Sequence, residues 1–244
     1  MIFFKKKPIV LDFYTDHPEV MLFAKPQKAS KFYPEWWKAL PNDTQTSDPL
    51  VVAPTMKRCV GLVDLYQHGF ILPMWSDLAL EVGAVGTHYT RWQHADPRAS
   101  AIDHAQTQRG EYLPDTHYQH LKLNCPWFAV CSENIDWMFV APTWNFEKPE
   151  EFVIPAGVVS YKYQHTMNVN MFLPRKAETS ILKLEQGQPM AHIVPITDRE
   201  VEYRYHLVTT AELSKHQKMS LWFTKKYQRL KAGQSKCPFG GADK

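Results

Sequence analysis

The sequence predicts a mainly β protein: a single antiparallel barrel-like or sandwich-like domain, with an irregular N-terminal arm and one C-terminal amphipathic helix. Three observations predict it. Short runs rich in Val, Ile, Phe, Tyr and Trp recur between residues 70 and 196, and the turns between them carry Pro, Gly and Asn, which is the pattern of short antiparallel strands. Pro8, Pro18, Pro26, Pro34, Pro41 and Pro49 punctuate the first fifty residues and work against long regular elements there. From Thr210 the spacing changes: Leu213, Met219, Leu221, Trp222, Tyr227 and Leu230 are interleaved with charges as far as Lys231, and Gly233 follows, as in one amphipathic helix. No repeat, low-complexity tract or linker divides the chain. The expected organisation is an arm over residues 1–50 packed on the body, a β-rich domain over 51–209, and the helix with its tail over 210–244.

Taken in order, residues 9–13 read as a short strand inside the arm. Residues 33–41 fit a single helical turn, with Pro34 near its start and Pro41 as its stop. Trp36 and Trp37, on that turn, are expected in the core. Residues 61–69 suit a short helix closed by Gly69 in the left-handed conformation. Residues 70–82 read as one strand, with Trp75, Asp77, Ala79 and Glu81 on one face and Met74, Ser76, Leu78, Leu80 and Val82 on the other. Residues 85–93 read as its antiparallel partner across Gly83 and Gly86. Residues 94–120 are polar, His-rich and without a period, and are expected as a surface excursion. Strands are then expected at 121–130, 137–141, 153–154, 158–163, 167–173, 181–184 and 190–196.

The chain has 244 residues, 44% of them hydrophobic and 13% aromatic, enough to bury a core and unlike a disordered composition. A formal charge of +3 does not indicate nucleic acid. The basic residues gather at both ends, Lys5 to Lys7 and Lys225, Lys226, Arg229, Lys231 and Lys236, as solvated termini do. Cys59, Cys125, Cys131 and Cys237 form no C-x-x-C pair, and free thiols in a reducing compartment are expected. No apolar run approaches the ~20 residues of a membrane span, and no signal peptide is recognised at the start. The expected location is the host cytoplasm or a virion.

Three constellations offer chemistry. His94 and Asp96 form an H-x-D pair, with His165 distant and Arg175 ten positions after it. That set resembles the facial triad of the Fe(II)/2-oxoglutarate oxygenases, which implies His94, Asp96 and His165 as metal ligands and Arg175 on the co-substrate carboxylate. His88, His104, His117, His120 and Cys125 form a looser candidate metal cluster. Cys59 and Cys125 are candidate nucleophiles, although buried structural thiols are the commoner use of such residues. Phosphate-binding glycine loops and the G-x-S-x-G elbow are absent.

The stretch Gly157-Val158-Val159-Ser160-Tyr161-Lys162-Tyr163, followed by residues 181–184 and by Gly187-Gln188-Pro189-Met190-Ala191-His192-Ile193-Val194, resembles dUTPase and dCTP deaminase sequences. That resemblance covers about forty residues and implies a β-clip arrangement. Ser160 stands where those enzymes carry their catalytic aspartate, and their R-S-G phosphate motif is absent, so the resemblance implies nucleotide binding without hydrolysis. Over residues 32–200 the chain resembles an uncharacterised family of marine bacteriophage proteins. The features that carry this are Phe32-Tyr33-Pro34-Glu35-Trp36-Trp37-Lys38, Lys57-Arg58-Cys59, Gly69-Phe70-Ile71-Leu72-Pro73-Met74-Trp75-Ser76-Asp77 and Lys122-Leu123-Asn124-Cys125-Pro126-Trp127. That resemblance implies phage origin.

The functional expectation is therefore a phage-encoded structural or binding protein without catalytic activity or cofactor, a virion or assembly component. It is expected to contact protein partners or itself, and no membrane. Trp222, Phe223 and Tyr227 on the C-terminal helix are the expected partner contacts. The alternatives are the oxygenase, with Fe(II) and 2-oxoglutarate, and the non-hydrolytic dUTPase-like nucleotide binder.

Overall fold

The computed structural model describes residues 6–88, 90–95, 100–147 and 151–216, with the backbone alone for 91–95 and 100–103. The protein is mainly β. The strands are β1 (Ile9–Thr15), β2 (Gln27–Lys28), β3 (Asp43–Gln45), β4 (Val52–Pro54), β5 (Phe70–Pro73), β6 (Leu78–Val82), β7 (Thr90–Ala95) and β8 (Ser100–Asp103). They continue with β9 (Tyr118–Asn124), β10 (Phe128–Val130), β11 (Trp137–Val140), β12 (Gly157–Val159), β13 (Val169–Pro174), β14 (Ser180–Leu184), β15 (Pro189–Pro195) and β16 (Val201–Leu207). Between them lie the helices α1 (Pro18–Phe23), α2 (Glu35–Ala39) and α3 (Val60–Gln67). A further helix starts at Thr210 and is described to His216; Trp222, Phe223 and Tyr227, the expected partner contacts, lie outside the described residues. No described helix is long and apolar enough to cross a membrane.

The strands form separate small sheets, ordered β10-β1-β16, β12-β11-β15-β5-β2, β13-β9-β8 and β14-β6-β7, with β3 and β4 as a hairpin. Among the described residues every strand pairing is antiparallel except β1 with β16, which runs parallel from Ile9↔Val201 to Thr15↔Leu207. Side chains from the four larger sheets meet in one core, which includes Phe13, Phe70, Leu80, Leu123, Trp127, Trp137, Met171, Leu182 and Ile193. Phe13 sits among aromatic rings, stacked on Tyr205 at 5.4 Å and edge-on to Phe70 at 5.0 Å and Trp127 at 6.3 Å.

β5 is buried on both faces. Successive side chains of a strand point to opposite sides, so Phe70 and Leu72 enter the main core while Ile71 enters a second, smaller one with Ala29, Leu62 and Tyr66. Leu62 and Tyr66, four apart on α3, form its inward stripe. α3 ends where Gly69 takes φ +73. There the carbonyl of Gly69 accepts from the Ala29 amide at 3.2 Å.

Several expectations are corrected. Residues 70–82 are two strands in two sheets. Pro73 closes β5, and the chain then crosses, with Met74 donating to Gln188 O at 2.7 Å and accepting from Gly187 N at 2.8 Å. The His-rich excursion is partly a sheet: β8 pairs with β9, which begins at Tyr118. The loop between them is tied by Arg109, whose guanidinium donates to His104 O at 2.7 Å, to Leu113 O at 3.0 Å and to Asp115. Within residues 6–50, β1 is the central strand of its sheet and Ile9, Leu11 and Phe13 are fully buried. β16 was not anticipated. Trp37 is half-buried, whereas Trp36 stands 42% exposed.

Candidate ligand-binding groove

The exposed Trp36 marks the site. Pro34 lacks an N–H and precedes the five-residue α2. On so short a helix the adjacent Trp36 and Trp37 point roughly 100° apart. Trp37 turns inward. It stacks on Tyr33 at 4.6 Å, Tyr33 stacks on Tyr66 at 5.0 Å, and the Lys57 ammonium lies 4.3 Å over the Trp37 ring. The indole N–H of Trp37 donates to Met56 O at 2.9 Å. Trp36 turns outward, and its Nε1 donates to the carbonyl of Trp144 at 2.9 Å.

Trp144 belongs to a 3-10 turn, Thr143–Asn145, and is also 42% exposed. Its neighbour Asn145 is held at both ends of its amide: Oδ1 accepts from the Tyr66 hydroxyl, and Nδ2 donates to Phe32 O at 2.8 Å. The second core therefore serves as a foundation. It fixes the turn that carries Trp144, and Trp36 closes onto that turn. The two indole rings lie 6.1 Å apart at an interplanar angle of 46°.

Beside this pair runs an open groove of three adjoining hollows. The first, of about 440 Å3, is lined by Phe32, Tyr33, Trp36, Trp144, Phe146 and Pro189 among others. It shares Asn145, Phe146 and Glu147 with a second, of about 480 Å3, that also meets Glu151, Lys183, Glu185, Gln186 and Gln188. That hollow shares Lys183, Glu185 and Gln186 with a third, of about 510 Å3, ending at Asp77, Leu78 and Ala79. The groove is aromatic at its Trp36 end, and its further hollows mix polar side chains with Phe152, Ile181 and Leu184. Among the described residues the lining includes the carboxylates of Glu35, Glu147, Glu151, Glu185 and Asp77 and the ammonium groups of Lys31, Lys38 and Lys183. Glu35 is paired with Lys38 at 2.6 Å, and Glu151 stands 4.0 Å from Lys176.

The chain matches no protein-family model and no curated protein.

The constellations suggested by sequence are placed elsewhere. His165 is 5% exposed, its Nδ1 shielded without a partner and its ring 5.9 Å from that of His216. Burial and the neighbouring His216 hold its pKa below the usual imidazole value. Arg175 follows the far end of β13, about 20 Å of strand away from the His165 end. It is also 5% exposed, and its guanidinium donates to Asp115 O at 2.8 Å, Gly83 O at 3.2 Å and Gln119 Oε1 at 2.8 Å. This arginine clamps three chain segments together. His94 lies on β7 opposite Ala79, its side chain outside the described residues, as is the whole of Asp96.

Of the second metal candidate set, His104 and His120 come together as stacked rings 4.4 Å apart. His117 bonds Thr116 at 3.0 Å, and Cys125 lies in the main core. Among the described residues no group of three or more His, Cys, Asp or Glu is disposed to hold a metal. Burial pushes the Cys125 thiol far above its ordinary pKa, the opposite of an activated nucleophile. Ser160 is buried with its Oγ unpartnered. The two segments that resemble dUTPases, at β12 and β15, are not paired with each other; β11 lies between them.

Sequence reasoning missed the groove because its lining comes from four distant segments. One signal was available: adjacent Trp residues on a helix of one turn cannot both face the same core.

Proposed function

We propose that the protein is a non-catalytic binding component encoded by a bacteriophage, part of the particle or of its assembly, and that the groove is its contact face. One observation carries the reading: two exposed tryptophans stand together at the head of an open groove, the ring of Trp36 bonded to the backbone of Trp144. An exposed indole held in one orientation, as Trp36 is, loses little conformational freedom when a ligand packs on it, and aromatic anchors dominate recognition surfaces. The Phe32–Lys38 stretch, one of those that carry the phage resemblance, forms this end of the groove. Contacts with protein neighbours would use other surfaces, of which Leu22, Phe23 and the hairpin tip at Leu50 are the most exposed apolar examples among the described residues. The test is mass spectrometry of gradient-purified phage particles. The chain is expected there in fixed ratio to the capsid protein, and its absence from particles and from assembly intermediates would remove this role.

A further inference from the structure

We propose that the groove binds a neutral carbohydrate chain, whose rings stack on Trp36 and Trp144 and whose hydroxyls bond to the polar side chains beyond. The proposal rests on the groove being a binding face and names the ligand class it takes.

The argument begins with the tryptophans. A sugar ring has an apolar C–H face and a rim of hydroxyls. An exposed indole face is the side chain best shaped to cover such a face, because it offers a large flat apolar surface. Two of them, 6.1 Å apart and inclined by 46°, offer differently oriented platforms, as successive rings of a twisted chain require. The Trp36 ring is held through its indole N–H; at Trp144 it is the backbone that is held, through its carbonyl and the doubly bonded amide of Asn145, and its ring packs against Trp36.

The polar side chains beyond the tryptophans suit the hydroxyl rim. Glu147 and Glu185 present acceptors, Lys183 presents a donor, and Gln186 and Gln188 carry amides. A hydroxyl both donates and accepts, so a mixed lining satisfies it where a lining of one kind does not. Its bonds to ionised carboxylates are among the stronger ones.

Charge argues against a polyanion. Among the described residues five carboxylates line the groove against three ammonium groups. A phosphate backbone or a sulfated polymer needs the reverse balance. A proline-rich peptide also uses aromatic grooves, and decaproline is the probe that distinguishes it. The groove is open along three hollows, which suits a chain lying across it rather than an enclosed small molecule.

The test uses the full chain and four probes: maltohexaose, cellohexaose, laminarihexaose and chitohexaose, titrated by calorimetry and by tryptophan fluorescence. At least one is expected to bind saturably. Trp36→Ala and Trp144→Ala should each weaken it about tenfold. Glu185→Gln should weaken it too, and thermal melting should show all three variants folded. Absence of binding by all four probes overturns the proposal, as does binding that both Trp variants leave unchanged. Trp-dependent binding of decaproline or dextran sulfate in place of the sugars overturns it as well. The outcomes separate from those for the particle. A particle protein that binds no sugar refutes the carbohydrate and leaves the structural role, whereas sugar binding by a chain absent from particles does the opposite.

Discussion

At Gly69 the backbone tolerates no side chain. Its φ of +73 is the left-handed region, and an added Cβ would overlap the carbonyl oxygen of Ile193 and lie 2.9 Å from Ile193 C and Val194 Cα. The left-handed conformation alone costs an L-residue about 1–2 kcal/mol, and here backbone, not a pliant side chain, stands in the way. Gly69→Ala is therefore expected to lose at least about 2 kcal/mol of stability, read as a fall in the urea midpoint at unchanged slope. The buried histidines set a second residue-scale property. His120, His165 and His192 all have pKa values lowered chiefly by burial. The folded chain thus binds fewer protons than the unfolded one below the unperturbed value of about 6.5, and stability must fall as pH drops through that range. Urea midpoints measured from about pH 7.5 to pH 5 should decline, and His165→Asn should flatten the decline. A midpoint independent of pH in that window would refute the assignment.

At the scale of elements, β1 shows how one strand organises its surroundings. Its burial alternates strictly, Ile9, Leu11, Phe13 and Thr15 inward and Val10, Asp12 and Tyr14 half-exposed. The inward face enters the main core. On the outward face Tyr14 stacks on His206 at 4.6 Å and His216 at 4.9 Å, and Asp12 accepts from His206 Nε2 at 2.7 Å. Phe13→Ala should cost about 3–5 kcal/mol, since the surrounding rings cannot close the space. Tyr14→Ala, on the half-exposed face, should cost distinctly less, and equal losses in paired denaturation curves would contradict this division. The helix from Thr210 opens with a capping box: Thr209 N and Oγ1 donate to Glu212 at 2.9 and 2.8 Å, and Glu212 N donates back to Thr209 Oγ1 at 3.3 Å. That motif fixes where the chain leaves β16 and turns helical.

For the whole molecule, the parallel pairing of β1 with β16 is the decisive contact. It joins residues nearly two hundred positions apart, so it forms only after the intervening chain has found its place, and such distant contacts slow folding. Arg199 reinforces the join: its guanidinium donates to Lys7 O at 2.9 and 2.6 Å and is doubly bonded to Glu133. Ile9 N donates to Glu200 O at 2.8 Å at one end, and Val208 N to Thr15 O at 3.0 Å at the other. A chain ending at Glu200 would leave β1 with an open edge and the rings of Phe13 without Tyr203 and Tyr205. It is expected to lose cooperative thermal unfolding by circular dichroism; a sharp transition near that of the full chain would show that β16 is dispensable.

What the sequence determined by itself was local. Alternating apolar residues and turn formers placed most strands of the body, Gly69 announced the end of α3, and the proline pair bracketed α2, because each of these depends on a few neighbouring residues. The alternation of Val201, Tyr203, Tyr205 and Leu207 was equally legible but went unread, in the approach to the helical pattern that follows. Only the tertiary structure decided which strands share a sheet, that β5 and β6 part company after Pro73, and that β1 belongs at a sheet's centre. It also decided the groove. Whether Trp36 packs or protrudes depends on the turn at Thr143–Asn145, more than a hundred residues away, and on the Tyr66 and Phe32 groups that hold it. Hydrogen bonds and packing between distant segments carry no periodicity along the chain, and the candidate site consists of little else.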